Sequence, residues 1–407
     1  MTTTIDNEQK TLNVPNLRFP EFEGEWQEER LSDIADISKG IGISKDQLSA
    51  DGEPCILYGE LYTKYKSETI KEVISKTNID NTKLVKSKAN DVIIPCSGET
   101  AEEIATARCV LKDDVLLGGD LNIIRLHGYD GSFMSYQLNG KRKYDIAKVA
   151  QGVSVVHLYG EHLKNIKTIN PSLNEQKKIA NLLSLLDERI STQNKIIDKL
   201  ESLIKGIMVE LQKQGQNKGN WRNVLLSKVL KERDERNTNL YQVFSVSVSQ
   251  GVINQVDYLG RSYAARDTSK YNVVHYGDLV YTKSPTGAYP YGIVKQNFNQ
   301  ENVAVSPLYG VYIPNSLSVG RYLHEYFRSE INTHNYLHPL IQKGAKNTIN
   351  ITNQRFLENS VPIPVCANEL LLISKLLLSF NDKIKYQQSI LQQYQKQKQY
   401  LLRQMFI

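Results

Sequence analysis

The sequence contains the stretch NEQKKIANLLSLLDERI at residues 174–190 and a similar stretch, NELLLISKLLLSFNDKI, at residues 368–384. Both begin with Asn-Glu, and they start 368 − 174 = 194 residues apart in a chain of 407 residues. Apolar residues that recur every three and four positions predict a long amphipathic helix in each stretch. The chain therefore repeats one helix, once in its middle and once at its end.

The apolar residues of the two stretches form a heptad seam, with a glutamine at the same place in each copy. The first seam contains Ile179, Leu183, Leu186, Ile190, Gln193, Ile197, Leu200 and Ile204. The second seam contains Ile373, Leu377, Phe380, Ile384, Gln387 and Leu391, and it is interrupted at Lys398. A seam of this length needs a long partner. The simplest partner is the other copy, so these residues are predicted to form a coiled-coil interface.

The segments that precede the two helices are also similar to each other. Trp26 and the nearby LSDIADI correspond to Trp221 and the nearby LSKVLKE. Runs such as DVIIPC and LVYT predict strands, and YDIAKVA and RYLHEYFRSEI predict short helices. Their spacing is too irregular for a doubly wound sheet, so we expect two tandem α+β domains. The predicted order is a domain at 14–170, a helix at 171–213, a linker at 214–220, a domain at 221–365 and a helix at 366–407.

Composition narrows the class of protein. Hydrophobic residues make up 40% and charged residues 23% of the chain, as in ordinary globular proteins. No apolar run reaches the ~18 residues of a membrane span, and MTTTIDNEQK at the start lacks the features of a secretory signal. The four cysteines form no C-x-x-C pair and are expected to be reduced, buried thiols of a cytoplasmic protein. A net charge of +6 permits a nucleic-acid partner without demanding one.

The sequence holds no complete catalytic motif. It has no G-x-x-x-x-G-K-[ST] phosphate loop and no [ND]-P-P-[YF] tetrapeptide of amino-methyltransferases, the nearest string being NPSL at 170–173. His334 and His338 lie four residues apart, but the Glu of H-E-x-x-H is missing. Such a pair can bind zinc on a helix, although it is more often a surface coincidence. We therefore expect no catalytic residue, no metal site and no cofactor in this chain.

Basic and aromatic residues are interleaved at matching places in the two globular regions. Lys and Arg neutralise phosphates, while Asn, Gln, Arg and Tyr can read base edges. Each cluster alone is explained equally well by a solvated loop, but their pairing in two repeats favours a DNA-binding surface. In the first region the candidates are Lys39, Lys45, Tyr62, Lys64, Ser97, Lys141, Arg142, Lys143 and Ser154. In the second region they are Lys283, Ser284, Tyr289, Tyr291, Lys343, Lys346 and Asn347.

Several stretches together resemble the specificity subunit of a type I restriction-modification system. PNLRFPEFEGEWQEERLSDIADISKG at 15–40 resembles the opening of such subunits. NDVIIPCSGET at 90–100 and GDLVYTKSPTG at 277–287 resemble the strand-and-turn motif inside each target-recognition domain, and GVSVVHLYGEHLKNI at 152–166 resembles its closing motif. INPSLNEQKKIANLLSLLDERISTQNKIIDKLESLIKGIM at 169–208 resembles the central conserved helix. The order and duplication of these motifs are specific to the family, and they span almost the whole chain.

The resemblance implies two target-recognition domains, each of which reads one half of a split, asymmetric site in double-stranded DNA. It implies that the two long helices pair as an antiparallel coiled coil and hold the domains apart. Two methylation subunits and up to two restriction subunits would bind this frame, and S-adenosylmethionine, ATP and Mg²⁺ would be used by those subunits. No membrane and no small-molecule substrate is expected as a partner.

Two other classes of protein remain open from the residues alone. A coiled-coil adaptor that binds only protein would show no affinity for DNA and would tolerate neutralised loops. A fused restriction and methylation enzyme would bind S-adenosylmethionine itself, and the missing methyltransferase tetrapeptide argues against that class.

Overall fold

The structure is a computed structural model that describes residues 13–152, 155–343 and 349–407, without the side chains of 343, 349 and 350. The chain divides into two compact units. Unit 1 contains the residues up to Asn194 together with Ser389–Ile407, and unit 2 contains Lys195–Gln388. Each unit therefore comprises one globular domain and one segment from each of two long helices.

The globular part of unit 1 is built on two five-stranded sheets and smaller two-stranded pairings. Its strands are β1 (Gln27–Arg30), β2 (Ala35–Lys39), β3 (Leu48–Ser49), β4 (Glu53–Ile56), β5 (Thr69–Ile70), β6 (Ser75–Thr77), β7 (Val85–Lys86), β8 (Asp91–Pro95), β9 (Ser97–Gly98), β10 (Arg108–Val110), β11 (Leu116–Leu117), β12 (Leu121–Leu126), β13 (Val156–His157) and β14 (Lys167–Asn170). The sheet orders are β2-β12-β8-β10-β5 and β3-β6-β4-β11-β7. Strand β14 returns to pair antiparallel with β1, which brings the end of the domain back to its beginning.

The central strands of the first sheet are apolar on both faces. Successive side chains of a strand point to opposite faces. Val92 and Ile94 of β8 accordingly enter one core cluster, while Ile93 enters another together with its cross-strand partner Ile123. These continuous apolar runs explain why DVIIPC and LNIIRL form buried strands rather than alternating, half-exposed ones.

Six short helices connect the described strands of unit 1. They are α1 (Leu31–Ile34), α2 (Glu60–Thr63), α3 (Ala101–Ile104), α4 (Gly131–Asn139), α5 (Lys143–Val149) and α6 (Gly160–Lys164). Helix α4 begins where the Asp130 carboxylate accepts a hydrogen bond from the backbone N–H of Phe133, a strong N-terminal cap. This helix carries Phe133 and Tyr136 into the contact that unit 1 makes with its helical segments.

The first long helix is α7 (Leu173–Asn217), and it is longer than the sequence predicts. The predicted linker at 214–220 is therefore wrong in its first half, because the helix continues to Asn217. Gly215 is buried and lies so close to Trp221 that an added Cβ would stand 2.1 Å from its ring. Gly219, at φ +69°, has the left-handed backbone that ends this segment. The joint is thus packed rather than loose.

Unit 2 contains a four-stranded sheet of order β16-β23-β20-β21 and several strand pairs. Its strands are β15 (Trp221–Leu225), β16 (Leu230–Glu232), β17 (Phe244–Ser247), β18 (Gly251–Asn254), β19 (Asn272–Val274), β20 (Leu279–Tyr281), β21 (Val294–Gln296), β22 (Val303–Val305), β23 (Gly310–Pro314), β24 (Gln342–Lys343), β25 (Ile349–Asn350) and β26 (Ser360–Pro364). Strand β15 pairs antiparallel with β26, so this domain also closes by joining its first strand to its last. Valines at 252, 274, 280, 303, 305 and 311 form its sheet core.

Besides the end of α7, the described part of unit 2 contains three short helices, one of intermediate length and the start of the second long helix. They are α8 (Gln255–Leu259), α9 (Leu317–Tyr326), α10 (Glu330–Leu337), α11 (Asn353–Phe356) and α12 (Ala367–Gln404). Ser316, Ser329 and Thr352 cap α9, α10 and α11 through their side-chain hydroxyls. The α+β class predicted for each domain is confirmed by these mixed elements.

The predicted seam residues of α7 and α12 face inward. Ile179, Leu183, Leu186, Gln193, Ile197, Ile204, Ile373, Leu377 and Ile384 are buried, and Ile190, Leu200, Phe380, Gln387 and Leu391 are half-buried. Lys398 continues the seam instead of breaking it. Its ammonium is largely buried and lies 2.6 Å from carboxylate oxygens of Glu68 and Asp187, all three residues belonging to unit 1.

Three of the four cysteines are buried, whereas Cys366 is exposed just before α12. The expectation of four buried thiols is therefore wrong for Cys366, which precedes the helix on its solvent side. Within the described ranges, no helix combines the length and the hydrophobicity that crossing a membrane requires.

Candidate nucleic-acid interface

A cleft of about 570 Å³ opens on unit 1 and brings together two of the residues predicted from sequence. Lys39 stands at the end of β2, and Ser97 begins β9 directly after the buried strand β8. The cleft is also lined by His157, Tyr159 and Lys164. Strand and helix ends thus place a cationic, hydroxyl-bearing and aromatic rim around one opening.

Strand pairing fixes the floor of this cleft. His157 of β13 stands opposite Ser97 of β9, and the Ser97 Oγ lies 3.3 Å from the His157 Nδ1. The ring of Tyr159 stacks on His157 at 6.2 Å between centroids, and its side chain is exposed. A backbone-held imidazole beside an exposed aromatic ring offers both a hydrogen-bonding group and a stacking surface.

The charge of the cleft is mixed. Lys39 lies 3.4 Å from Asp120, and both side chains are exposed. Lys164 lies 2.6 Å from Glu161, its neighbour on the same helical face. Exposed ion pairs of this kind are weak, so each lysine can exchange its carboxylate for a phosphate at little cost.

Two more candidates of unit 1, Tyr62 and Lys64, lie at the end of α2, and Tyr62 contacts Ser97. The Tyr62 hydroxyl donates to the Ser97 carbonyl oxygen at 3.3 Å, and burial, with the charge of Glu103, raises the pKa of Tyr62, which keeps this donor protonated. Lys64 is held at 2.6 Å by both the Glu60 carboxylate and the Ser75 hydroxyl. Lys64 therefore connects α2 to β6 and is not free to contact DNA.

The remaining basic candidates of unit 1 differ in their freedom. Lys45 is exposed on a single 3-10 turn, and Lys141 is exposed after α4. Arg142 donates to the Ile407 oxygen at 3.4 Å and lies 3.6 Å from Asp145. Lys143 lines a shallow cleft with Glu102 and Glu103. Ser154 lies outside the described residues.

In unit 2 the strand-and-turn motif presents a tight loop after β20. Lys283 has a left-handed backbone, with φ +60°. Gly292 packs closely against it, since a Cβ added to Gly292 would stand 2.7 Å from the backbone nitrogen of Lys283. Burial lowers the pKa of Lys283, and Ser284 beside it is exposed. Tyr289 is buried, and its hydroxyl donates to the Arg328 carbonyl oxygen at 2.7 Å. Tyr289 therefore anchors the loop.

Tyr291 and the histidine pair form one aromatic stack. The Tyr291 ring lies 5.3 Å from His334 and 5.9 Å from His338, and the two imidazoles stack at 5.2 Å. In the part of the chain that the structure describes, no group of three or more His, Cys, Asp or Glu could hold a metal ion. Lys343, the first residue of the last basic cluster, belongs to β24. Lys346, Asn347 and the side chain of Lys343 lie outside what is described.

Sequence reasoning did not select His157, Tyr159 or Lys164. All three belong to GVSVVHLYGEHLKNI at 152–166, the stretch of the closing motif, from which Ser154 alone was predicted to bind DNA. The sequence signal that could have found them is the short strand VH directly before the start of a helix. The register of that strand sets His157 opposite Ser97. The cleft offers cations, hydroxyls and an exposed ring, which are groups that bind phosphate, sugar and base rather than catalyse.

A comparison of structures assigns the architecture. The fold is that of a type I specificity subunit: the crystal structure of the Type-I restriction-modification system S subunit from M. genitalium aligns with a TM-score of 0.63. The alignment covers 97% of this chain and 99% of that chain at 14% sequence identity. At this identity the similarity demonstrates a shared fold.

Comparison of sequences adds the family. Residues 23–202 match the family model of the type I restriction modification DNA specificity domain. The chain is also 29% identical over 209 residues to the Type I restriction enzyme MjaVIII specificity subunit of Methanocaldococcus jannaschii. That match covers 51% of this chain and 46% of the relative, so it spans about half the length of the relative. The resemblance predicted from sequence is confirmed by this match, which covers residues 23–202.

Proposed function

We propose that this chain is the DNA-recognition subunit of a type I restriction-modification complex. Each of its two globular domains reads one half of a split, asymmetric site in double-stranded DNA. The observation that carries the proposal is the duplication itself: the region that matches the DNA specificity domain is followed by a second domain with its own long helix. Two readers in one chain can diverge, which suits a site whose halves differ.

The contacts inside each unit support antiparallel pairing of the long helices. In unit 1, Ile179 and Leu183 near the start of α7 share one apolar cluster with Met405 and Phe406 just after α12. In unit 2, the indole N–H of Trp221, just beyond the end of α7, donates to Glu369 in the first turn of α12 at 2.8 Å. The start of one helix thus meets the end of the other in both cases.

The DNA-facing residues of unit 1 are those that are both polar and free to rearrange. Lys39 and Ser97, with His157 and Tyr159, line the cleft, and Lys45 is exposed. In unit 2 the corresponding turn presents Lys283 and Ser284, followed along the chain by Lys343, Lys346 and Asn347. Lys and Ser at the ends of strands suit phosphate and sugar contacts that set the register for base reading.

Catalysis belongs to partner subunits in this proposal. Two methylation subunits and up to two restriction subunits bind the frame, and they use S-adenosylmethionine, ATP and Mg²⁺. The chain contributes sequence recognition and the separation of the half-sites. Helix α7 has 45 residues, or about 68 Å at ~1.5 Å per residue, which sets the scale of that separation.

Sequencing of modified bases tests the proposal directly. A host carrying this chain and its methylation subunit is compared with the same host in which only this chain is deleted. We expect a split motif with N6-methyladenine on both strands, present only in the first host. If both proteins are expressed and assembled and no new motif arises, the chain acts instead as a coiled-coil adaptor that binds protein alone.

Salt dependence then tests individual residues. Binding of the assembled complex to a duplex carrying the motif is measured from low to moderate salt for the wild type, Lys39→Ala and Lys45→Ala. Each phosphate contact that is lost should lower the slope of log K against log salt by about one. Lys112→Ala, an exposed lysine outside the cleft, serves as the control. A lysine whose replacement leaves the slope at the wild-type value does not touch a phosphate.

A further inference from the structure

Unit 2 contains a cavity of about 140 Å³ whose lining does not include the strand-and-turn loop of Lys283. Its walls come from β21, one face of α9, a turn at 248–251 and the segments of both long helices that belong to this unit. A buried water needs ~10–15 Å³ measured in the same way, so the cavity has room for a small ion with part of its hydration shell.

The wall contributed by β21 holds an uncompensated ammonium group. Lys295 is 3% exposed and lines the cavity. Among the described residues, none accepts a hydrogen bond from its ammonium or lies within ion-pair distance of it. Burial, with the nearby charge of Arg328, lowers the pKa of Lys295 to about 8. A buried charge without a partner is expensive, so the native state gains if something negative enters.

Helix α9 adds two further donors to the same cavity. Arg321 and His324 lie three residues apart and therefore on one helical face. Arg321 is half-buried and donates no hydrogen bond to any residue in the described ranges. The His324 Nδ1 accepts from the Gln296 backbone N–H at 3.0 Å, which leaves the proton of the neutral ring on Nε2. That Nε2 lies 3.9 Å from Glu325, too far for a hydrogen bond.

The neighbouring carboxylates do not satisfy these donors. Glu201 accepts from Arg328 at 2.7 Å, and Glu325 accepts from Asn381 at 2.8 Å. Glu325 uses one oxygen for this bond, and its other oxygen lies 3.6 Å from Arg328 without a hydrogen-bond partner among the described residues. Lys385 lies over the ring of Phe298 at 5.3 Å and adds another positive charge to the lining. Positive charges outnumber negative ones around the opening.

We propose that this cavity is a binding site for a tetrahedral oxyanion, inorganic phosphate or sulfate. Lys295 and Arg321 neutralise its charge, and the His324 Nε2–H donates to one of its oxygens. Charge-assisted hydrogen bonds of this kind are the strong ones in proteins. The ion would join β21, α9 and α12, so its binding would stabilise the fit between the second domain and the helical segments of unit 2.

Calorimetry and thermal unfolding of the full-length chain test the site. Potassium phosphate is titrated into the wild type in chloride buffer of matched ionic strength, and sulfate is used as a second probe. We expect saturable binding and a rise in Tm that follows phosphate concentration. At 100 times the Kd, binding should reduce the fraction unfolded about 100-fold. No heat of binding and equal Tm in phosphate and chloride would overturn the proposal.

Variants locate the binding to this cavity. Lys295→Met should abolish the phosphate-dependent rise in Tm. Arg321→Gln should weaken phosphate binding at least tenfold, and because Arg321 is only half-buried, this variant is expected to fold. Lys375 is an exposed lysine of α12 that does not line the cavity. The control variant Lys375→Met should therefore respond to phosphate like the wild type. If Arg321→Gln binds phosphate as the wild type does, the ion is bound elsewhere and the proposal fails.

A backbone phosphate of DNA shares this chemistry, and one further titration separates the two sources. Phosphate is titrated into the complex after it has been saturated with duplex DNA carrying the recognition motif. Unchanged affinity shows that the site takes the free ion, which is the expected result. Loss of phosphate binding only in the presence of DNA shows that a nucleotide phosphate occupies the same site.

Discussion

Two buried lysines, one in each unit, have opposite surroundings. Lys398 of unit 1 lies 2.6 Å from both Glu68 and Asp187, and although burial opposes it, the charges of these acids raise the pKa of Lys398. Lys295 of unit 2 has no comparable partner among the described residues, and burial lowers its pKa to about 8. Both ammonium groups have lost water, so the difference shows that the partner, not the depth, decides whether a buried charge stabilises the fold.

The repeat makes the comparison sharper, because the acidic residue stands on the long helix in one unit and on the domain in the other. Asp187 of α7 corresponds to Asn381 of α12, since 187 + 194 = 381. In unit 1 the acid stands on the long helix and accepts from Tyr136 of the domain at 2.7 Å. In unit 2 the long helix carries the amide, and the acid, Glu325, stands on α9 of the domain. Each domain is therefore attached to its helices by its own set of polar contacts, built on one common frame.

The largest effect is expected from removing the positive charge in unit 1. Lys398→Met leaves Glu68 and Asp187 without the ammonium that contacts both, although the charge of Arg108 remains nearby. The free energy of unfolding should therefore fall by about 3–5 kcal/mol. Lys295→Met removes a charge that has no partner, so in chloride buffer it should leave stability unchanged or increase it. Urea unfolding of both variants measures this difference.

The exposed Lys396→Met on the same helix as Lys398 is the control for the loss of a lysine side chain. It should change the free energy of unfolding by no more than about 0.5 kcal/mol. Equal losses for Lys398→Met and Lys295→Met would contradict the idea that the partner decides.

The pH dependence of stability is the second test of the comparison. In the folded chain Lys295 holds its proton less tightly than in the unfolded chain, so its penalty is present below about pH 8 and is relieved as the pH rises towards 10.5. Relative to Lys295→Met, the wild type should therefore gain up to about 3 kcal/mol across that window. Lys398 has the opposite sign, because its raised pKa gives stability that is lost only as the pH rises above 10.5. Unfolding in oxyanion-free buffers from pH 7 to pH 10 measures the first trend, and a difference that stays flat would contradict it.

Periodicity alone predicted the elements that local sequence controls. Apolar spacing and end signals predict the seams of α7 and α12, the buried strands β8 and β12 and the short helix α5. The single helix predicted at 321–331 is wrong, because α9 ends at Tyr326 and α10 begins at Glu330 after its Ser329 cap. The end of α7 could not be predicted, because Gly215 stays helical only by packing against Trp221. A glycine next to polar residues otherwise indicates a joint.

The candidate site was predictable in its positions but not in its contacts. Lys39 was predicted from a cluster of basic and aromatic residues and Ser97 from a strand-and-turn motif. The histidine that lies beside Ser97 in their cleft enters from a strand 60 residues further along. The burial of Lys398 is explained by Glu68, a partner 330 residues away in the sequence. Contacts over such distances depend on the closed fold and leave no periodic signal in the chain.

The smallest effect is expected from removing the hydroxyl of either of two buried tyrosines. Tyr136 contacts α7 in unit 1, and Tyr322 contacts β26 in unit 2. The Tyr136 hydroxyl donates to the charged Asp187, whereas the Tyr322 hydroxyl donates to the neutral carbonyl oxygen of Pro362. Hydrogen bonds to charged groups contribute about 1.5–3 kcal/mol and neutral ones about 0.5–1.5 kcal/mol. Tyr136→Phe should therefore lower the free energy of unfolding about twice as much as Tyr322→Phe, as measured by urea unfolding.

In the Lys398→Met background the cost of Tyr136→Phe should increase further, because Asp187 would then keep only the hydroxyl of Ser67 as a hydrogen-bond donor among the described residues. If the two costs are equal in the wild type, the ionised carboxylate adds nothing to the contact, and the polar differences between the two halves have no consequence for stability.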